Sequence, residues 1–568
     1  MRWLPLLLVA CSSGSATPTT TTPPPIAASP SPSPPPAPSA TPSAPADRIE
    51  KGHPIERPIR AGERHRFRVE VPARQVVTGQ VVQKGIDLIV VTFDATGKQI
   101  AEFDSPNGAD GPEQFAIEGT VAGAYDFEVR PFALPSDTKD PRIPSEGRYE
   151  ARIDDIMTSD AYAELRAKER IDSPRILEAW RAVRAHKQAD IDRWWSELRD
   201  KTPLVEPYPG DPKDVLATFV FRSNSPYVAL LGGPDFREKP LVRIGDSDLW
   251  YLTARVPADA RFDYAFLAAE GPPEYHVPYR KDRGPDVRLA KRQPDPNNPR
   301  VHNGQSRAEL PGAAPQPWIA VKPEVARGKV TELKLESAKL KETRRIGVYL
   351  PPGHDPKRTY PLVIAFDGEA YGLDADPLIP LPVILDNLIA ANKIPPVVAA
   401  LVASGATRNR DLPGSEAFSA FVADELVPRM RADHRAGMKP AQTVVTGSSF
   451  GGLCSAYTAF HHPDVIGNVL SNSGSFQYVL GSIENDISNS IDGGWLIRDY
   501  ARAPKKPIRF YLDAGLFEMN LLDSNRRMHD VLLAKGYSVV YAEFSGSHDY
   551  WMWRGTIADG LIALLRAP

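Results

Sequence analysis

The chain has 568 residues, and 58 of them are proline, about twice the usual share. Its length points to several domains, and its formal charge of −3 gives no global basic surface for nucleic acid and no acidic tail. Charged residues at 24% and hydrophobic ones at 42% are normal for a globular protein, so the prolines belong to connections and do not replace a core.

In chain order, Met1-Arg2-Trp3 and a short, mostly apolar run to Val9 read as a secretion signal. Leu8-Val9-Ala10-Cys11 resembles a bacterial lipobox, which marks residues 1–11 as a lipoprotein signal and predicts that Cys11 is lipidated and becomes the new N-terminus. The brevity of the run is consistent with a start farther upstream. Residues 12–46 contain only Ser, Thr, Pro, Ala and Gly apart from Ile26, and 12 prolines lie between Pro18 and Pro45. Such a segment buries nothing and is expected to be a disordered, proline-stiffened tether. Together these features predict a lipoprotein anchored to a bacterial membrane, at the periplasmic or outer-membrane face.

Residues 47–156 read as all-β. Phe67, Val69 and Val71 alternate with charged neighbours, as on a half-buried strand. The Gly-Ile-Asp-Leu strand and the repeated Gly-x-Tyr strands resemble the small β-sandwich found beside secreted bacterial peptidases. Asp87 raises the question of calcium, but it reads better as a strand-entry residue because no acidic cluster surrounds it. Residues 157–202 form a helical connector, with Ser173-Pro174 as cap and first-turn proline. Residues 203–328 return to strands and carry a proline-rich strap at 272–323, with 11 prolines. Residues 329–568 alternate strand and helix. Their predicted strands lie at 345–350, 362–366, 397–402, 443–446, 468–471, 508–512 and 538–544, with helices at 416–433, 451–460 and 525–535. The fold class is α/β: a C-terminal α/β-hydrolase domain preceded by two β-sandwiches and a tether.

Gly447-Ser448-Ser449-Phe450-Gly451 is Gly-x-Ser-x-Gly between a strand and a helix, the nucleophile elbow. Side chains at 447 or 451 are expected to collide with neighbouring elements. Ser449 is the nucleophile. The base should follow the last strand, which selects His548 over His461 and His462, just past the elbow helix, and over His529 on a helix. The acid should follow the strand at 508–512, where Asp513, Glu518 and Asp523 compete. Phe450 N–H is one oxyanion donor, and Gly368 or Glu369 supplies the other. Cys454 reads as a small buried thiol.

These residues resemble the ferric enterochelin esterases within the esterase D group, over about 203–568. The likeness is carried by Asp248 and Trp250, Tyr264 and Phe266, Asp295-Pro296-Asn297-Asn298-Pro299, Gln316-Pro317-Trp318, Asp367-Gly368-Glu369, Arg408 with Asp411, the elbow, Ser473-Gly474-Ser475, and His548-Asp549 with Trp553-Arg554-Gly555. The family's acid corresponds to Glu518. The resemblance implies hydrolysis of a catecholate trilactone siderophore for iron release. Its anionic ferric complex would be met by Arg408, Arg410, Arg554, Trp553 and Tyr371. It also implies a β domain packed beside the hydrolase and an ordered strap between them. The chain departs from the family in its lipoprotein signal, its first sandwich and Tyr371, where the family tends to have Trp.

The expected partners are a small-molecule ester and a membrane reached through the N-terminal lipid, with no nucleic acid. No metal cofactor is expected, since any iron would arrive with the substrate. The alternatives are an envelope esterase acting on a polysaccharide, feruloyl or other acyl ester, and a non-catalytic surface binding protein.

Overall fold

The computed structural model describes residues 46–132, 144–234, 238–272, 291–479 and 494–566. Cys11, the tether up to residue 45 and the strap segment 273–290 lie outside them. The chain divides into two compact units, one ending at Leu177 and the other beginning at Glu178.

The first unit is a β-sandwich of a five-stranded and a four-stranded sheet. The alternation read from the sequence is realised in the strand His65–Val71, where Phe67, Val69 and Val71 are buried and Arg68 and Glu70 exposed. Phe67, Phe115, Phe127 and Tyr149 fill the space between the sheets. Asp87 directly precedes the strand Leu88–Phe93. Helix Ser159–Arg170 follows, capped by Thr158, whose hydroxyl accepts from Ala161 N–H. Helix Pro174–Arg184 starts as expected, with the Ser173 hydroxyl accepting from Ile176 N–H.

In the second unit the strands between 204 and 309 build another sandwich, with Phe219, Phe221, Phe262, Tyr264 and Phe266 in its core. The buried Tyr264 hydroxyl donates to Asp295 at 2.7 Å and accepts from Asn298 at 3.1 Å. A buried phenol needs such partners. The Asp-Pro-Asn-Asn-Pro run is thereby fastened to the core of the sandwich.

The hydrolase sheet has eight strands: β1 (Lys329–Ser337), β2 (Glu342–Leu350), β3 (Leu362–Phe366), β4 (Val398–Val402), β5 (Thr443–Ser448), β6 (Asn468–Asn472), β7 (Arg509–Gly515) and β8 (Ser538–Phe544). Their order is β1-β2-β4-β3-β5-β6-β7-β8. The first two pairings are antiparallel and the rest parallel. Strands β3 to β6 are buried on both faces. Helices α1 (Leu381–Ala390), α2 (Phe450–His461), α3 (Asn520–Ala534) and α4 (Tyr550–Leu565) pack against the sheet. The helix expected at 416–433 is instead helix Glu416–Ala420, a π-helical turn Phe421–Leu426 and helix Val427–His434. Pro428 has no N–H to continue an α-helical ladder, and the wider turn absorbs the break.

The described part of the strap is ordered and held by hydrogen bonds to the hydrolase. Gln316 donates to Trp551 O at 2.8 Å. Buried Asn387 on α1 donates to Trp318 O at 2.7 Å and Ala320 O at 2.9 Å. One amide thus fixes the strap where it enters the hydrolase. Asn387→Ala leaves both carbonyls without this donor and should cost about 1–3 kcal/mol, read from the urea midpoint of unfolding.

Candidate active site

The elbow forms as its glycine spacing dictates. Ser449 has φ 59°, a left-handed value that costs a non-glycine residue energy unless neighbours hold it. They do: Ser449 N–H donates to Asn472 O and Ser475 N–H donates to Ser449 O, both at 3.0 Å. A Cβ at Gly447 would lie 2.7 Å from the Gly451 Cα, so that position must be glycine. The expectation for Gly451 is corrected, because a Cβ there meets nothing closer than Asp367 Oδ2 at 3.6 Å. The crowded glycine of the helix is Gly452, pressed on Ser471 and Gly474. The Ser449 hydroxyl lies 3.1 Å from that of Ser475.

The three carboxylates that competed as acid have different fates. Asp523 is exposed on α3. Asp513 is buried at the end of β7, where it accepts from Asn472 at 2.7 Å. Burial foremost pushes its carboxyl up to about 7, with Glu518's charge adding to the rise, against hydrogen bonds from Thr556 and Asn472. Glu518 is wholly buried, and its Oε2 lies 3.3 Å from His548 Nδ1. Its other oxygen accepts from the Ser473 hydroxyl at 2.6 Å, and that hydroxyl accepts from Trp553 Nε1 at 2.9 Å. The Trp553 ring also stands edge-on to His548, 4.7 Å between centroids. His529, by contrast, lies on α3 beside Asp530.

Phe450 opens α2, and its N–H is not spent on the first turn. Gly368 caps the π-helical turn Glu369–Leu373, and Glu369 is its first residue. A Cβ at Gly368 would lie 2.6 Å from the Leu401 carbonyl carbon, so the loop after β3 runs tight against β4. The Glu369 carboxylate accepts from Ser404 N–H at 3.0 Å and Gly405 N–H at 2.9 Å.

The five expected substrate contacts are placed unequally. Tyr371 is fully buried, with its hydroxyl 2.7 Å from Ser448 Oγ. It supports the elbow from below and presents no face to a ligand. Trp553 is also buried and serves Ser473 and His548. Arg408 makes a bidentate pair with Asp367 at 2.8 and 2.9 Å and lies over the Phe450 ring. Arg410 pairs with Asp411 and Glu342. Arg554 donates to Gln316 at 2.8 Å and has no carboxylate within ion-pairing distance among the described residues. Burial, then Arg307 and Arg261, lower its pKa to about 10. Cys454 is the expected small buried thiol, and burial pushes its pKa up.

The model of putative esterases matches residues 337–564, and that of the enterochelin esterase N-terminal domain matches residues 218–319. An iron(III) enterobactin esterase of Dickeya dadantii is 30% identical over 426 residues, covering 66% of this chain and 94% of its own. The chain belongs to the enterochelin esterase family. An iron(III) salmochelin esterase of Escherichia coli is 26% identical, covering 66% of this chain and 93% of its own. The crystal structure of the enterobactin esterase of Shigella flexneri in the presence of 2,3-dihydroxy-N-benzoyl-serine superposes with a TM-score of 0.50 at 25% identity, covering 66% of this chain and 98% of that one.

Two further residues of this enterochelin esterase site carried no assigned role in the sequence. Ser473 and Ser475 stood there only as part of a motif, yet one bonds Glu518 and the other approaches Ser449. The Gly between them and their place after β6 were the available signal.

The Asp513 shift has a consequence for stability. Unfolded, its carboxyl ionises near ~4, while in the folded protein it keeps its proton to about 7. The folded state binds more protons across that window, so this residue's contribution to stability falls as pH rises through it and levels off above. Asp513→Asn keeps the shape and cannot ionise. Its urea midpoint should gain on the wild type between about pH 5 and pH 8, and parallel pH trends would sink this assignment.

Proposed function

We propose that this enterochelin esterase is a serine hydrolase that opens the ester bonds of a catecholate trilactone siderophore, with Ser449, His548 and Glu518 as its catalytic triad. The observation that carries the mechanism is the buried Glu518 carboxylate facing His548 Nδ1 on the loop after β8, and Ser449 stands at φ 59° in the elbow after β5. Glu518 on Nδ1 fixes the imidazole tautomer, leaving Nε2 to take the Ser449 proton as the hydroxyl attacks the ester carbonyl. The oxyanion is met by Phe450 N–H and by Gly368 or Glu369 N–H. His548 then returns the proton to the leaving alkoxide. Water, activated by the same imidazole, releases the acyl group, so no redox step or metal is called on.

The substrate class rests on the family and on the names of its relatives, the iron(III) enterobactin and salmochelin esterases. Of the expected substrate contacts Arg554 keeps the best case. Its charge has no carboxylate partner among the described residues, and Arg307 lies with it around the Trp551 ring. We also propose that Cys11 carries a lipid that holds the enzyme at the cell envelope, with 12–46 as its tether. The signal-like start and the composition of that segment support this reading.

A serine-directed phosphonate should label the wild type and not Ser449→Ala. The protein lacking residues 1–46 should release dihydroxybenzoylserine from enterobactin, whereas His548→Ala and Glu518→Gln should lose about 10³-fold or more in kcat. Cleavage of simple esters with enterobactin left intact would refute the substrate, and an unlabelled wild type would refute the enzyme. For the anchor, Cys11→Ala should move the protein from the membrane to the soluble fraction. Unchanged fractionation would count against lipidation.

A further inference from the structure

The acid and base of the proposed triad sit on two loops, and both loops are fastened to the second sandwich. Phe517 immediately precedes Glu518. Its ring packs on the sandwich core, edge-on to Phe262 with centroids 6.3 Å apart. Its neighbours Leu516 and Met519 are exposed at 37% and 38%, so Phe517 is the apolar anchor of that turn. On the base side, Arg261 N–H donates to Ser545 O at 2.9 Å, and Arg261 and Gly546 form a parallel bridge. The two loops are also tied to each other, with Phe517 N–H donating to Gly546 O at 3.1 Å and Leu516 N–H to Phe544 O at 2.9 Å. Adjacent residues of one sandwich strand, Arg261 and Phe262, thus hold the loops that carry His548 and Glu518. The Arg261 guanidinium is itself fixed by Glu309 at 2.7 Å and by Ala314 O.

We propose that the second sandwich is part of the catalytic apparatus and that Phe517, seated on Phe262, is a positioning residue for Glu518 and through it for His548. The proposal rests on the esterase reading above. Its chemistry is geometric. Nothing but Ser473 and His548 contacts the Glu518 carboxylate in the hydrogen bonds described, so the backbone of its turn sets where it points. Misplacing such a group by about 1 Å can cost about 10²-fold in rate. A sandwich that merely walled the substrate would act on binding, and its effect would grow with substrate size. A sandwich that places the acid acts on the chemical step of every ester, however small.

The test uses the full chain with a small aryl acetate, reading kcat and KM separately, with the unfolding midpoint as a control for folding. Phe517→Ala should lower kcat about tenfold with KM changed less than about twofold. Phe517→Leu, which refills the seat, should recover most of the rate. Phe262→Leu is the second variant. It leaves the acid's own turn untouched and should lower kcat in the same direction by less, again with KM nearly unchanged. An unchanged kcat in folded Phe517→Ala overturns the proposal, as does a failure of Phe517→Leu to recover the rate, or a change confined to KM. If Phe517→Ala does not fold, Phe262→Leu decides on the same readings. Absence of phosphonate labelling in the wild type identifies failure of the esterase reading itself, and the positioning role falls with it.

Discussion

A carboxylate fully withdrawn from water is the constraint around which the catalytic end of the molecule is arranged. Glu518 has no exposed surface, and a buried charge is tolerated only where its oxygens find donors. One oxygen has the Ser473 hydroxyl, the other faces the imidazole. Ser473 can donate to Glu518 because its own acceptor site is filled by the Trp553 indole. Each further requirement follows. Ser473 stands at φ 47° because its loop must turn back under the elbow, and its N–H is taken by Asp513 O at 2.8 Å. Gly515 is bare because Gly546 O and Glu518 itself lie against it. The tryptophan that holds the serine also braces the histidine.

The proline-rich strap belongs to the same logic of fixed backbone. Proline lowers the entropy lost when a segment is ordered and supplies no N–H of its own. The strap is then pinned by side chains reaching out from the hydrolase or from the strap itself, Asn387 onto two carbonyls and Gln316 onto Trp551 and Arg554. The sandwich, strap and hydrolase are connected by polar contacts at the strap and by apolar packing at Phe517.

Much of the hydrolase was legible from sequence because its central strands are continuous apolar runs, a signal that does not depend on distant neighbours. β3 and β8 begin and end where the pattern placed them. β1 escaped notice: Lys-Val-Thr-Glu-Leu-Lys-Leu-Glu-Ser is an edge strand whose charged residues dilute the apolar signal. The elbow was legible because its motif lies between a strand and a helix, and chain order selected His548, which the fold sets against Glu518. What could not be read were the destinations of long side chains. Arg408 meets a partner 41 residues away and Tyr371 one 77 residues away, and no local periodicity encodes such pairings. Glu518 could be separated from Asp513 only by a resemblance, because the predicted strand stopped before both, whereas β7 runs on through Asp513 to Gly515. Geometry separates them physically, one facing an imidazole and the other facing Asn472 in a site that favours its neutral form.

Arg408 explains how a negatively charged turn can sit against the elbow. Asp367 adopts φ 57° to carry the chain from β3 into the Gly368–Glu369 turn, and its Oδ2 would lie 3.6 Å from a Cβ on Gly451, inside the elbow. An unneutralised carboxylate there would oppose negative charge developing on a substrate oxygen. Arg408 cancels it with two parallel bonds, and burial strengthens the pair by excluding water. Asp367 holds the guanidinium charged against the cost of its desolvation. With both charges committed to each other, the proposed oxyanion donors, the backbone N–H groups at the start of α2 and of the turn after β3, would face no opposing net charge from this pair. Backbone donors are rigid and already oriented, so they need no reorganisation when charge appears. Arg408 thus acts on the elbow by neutralising its neighbour.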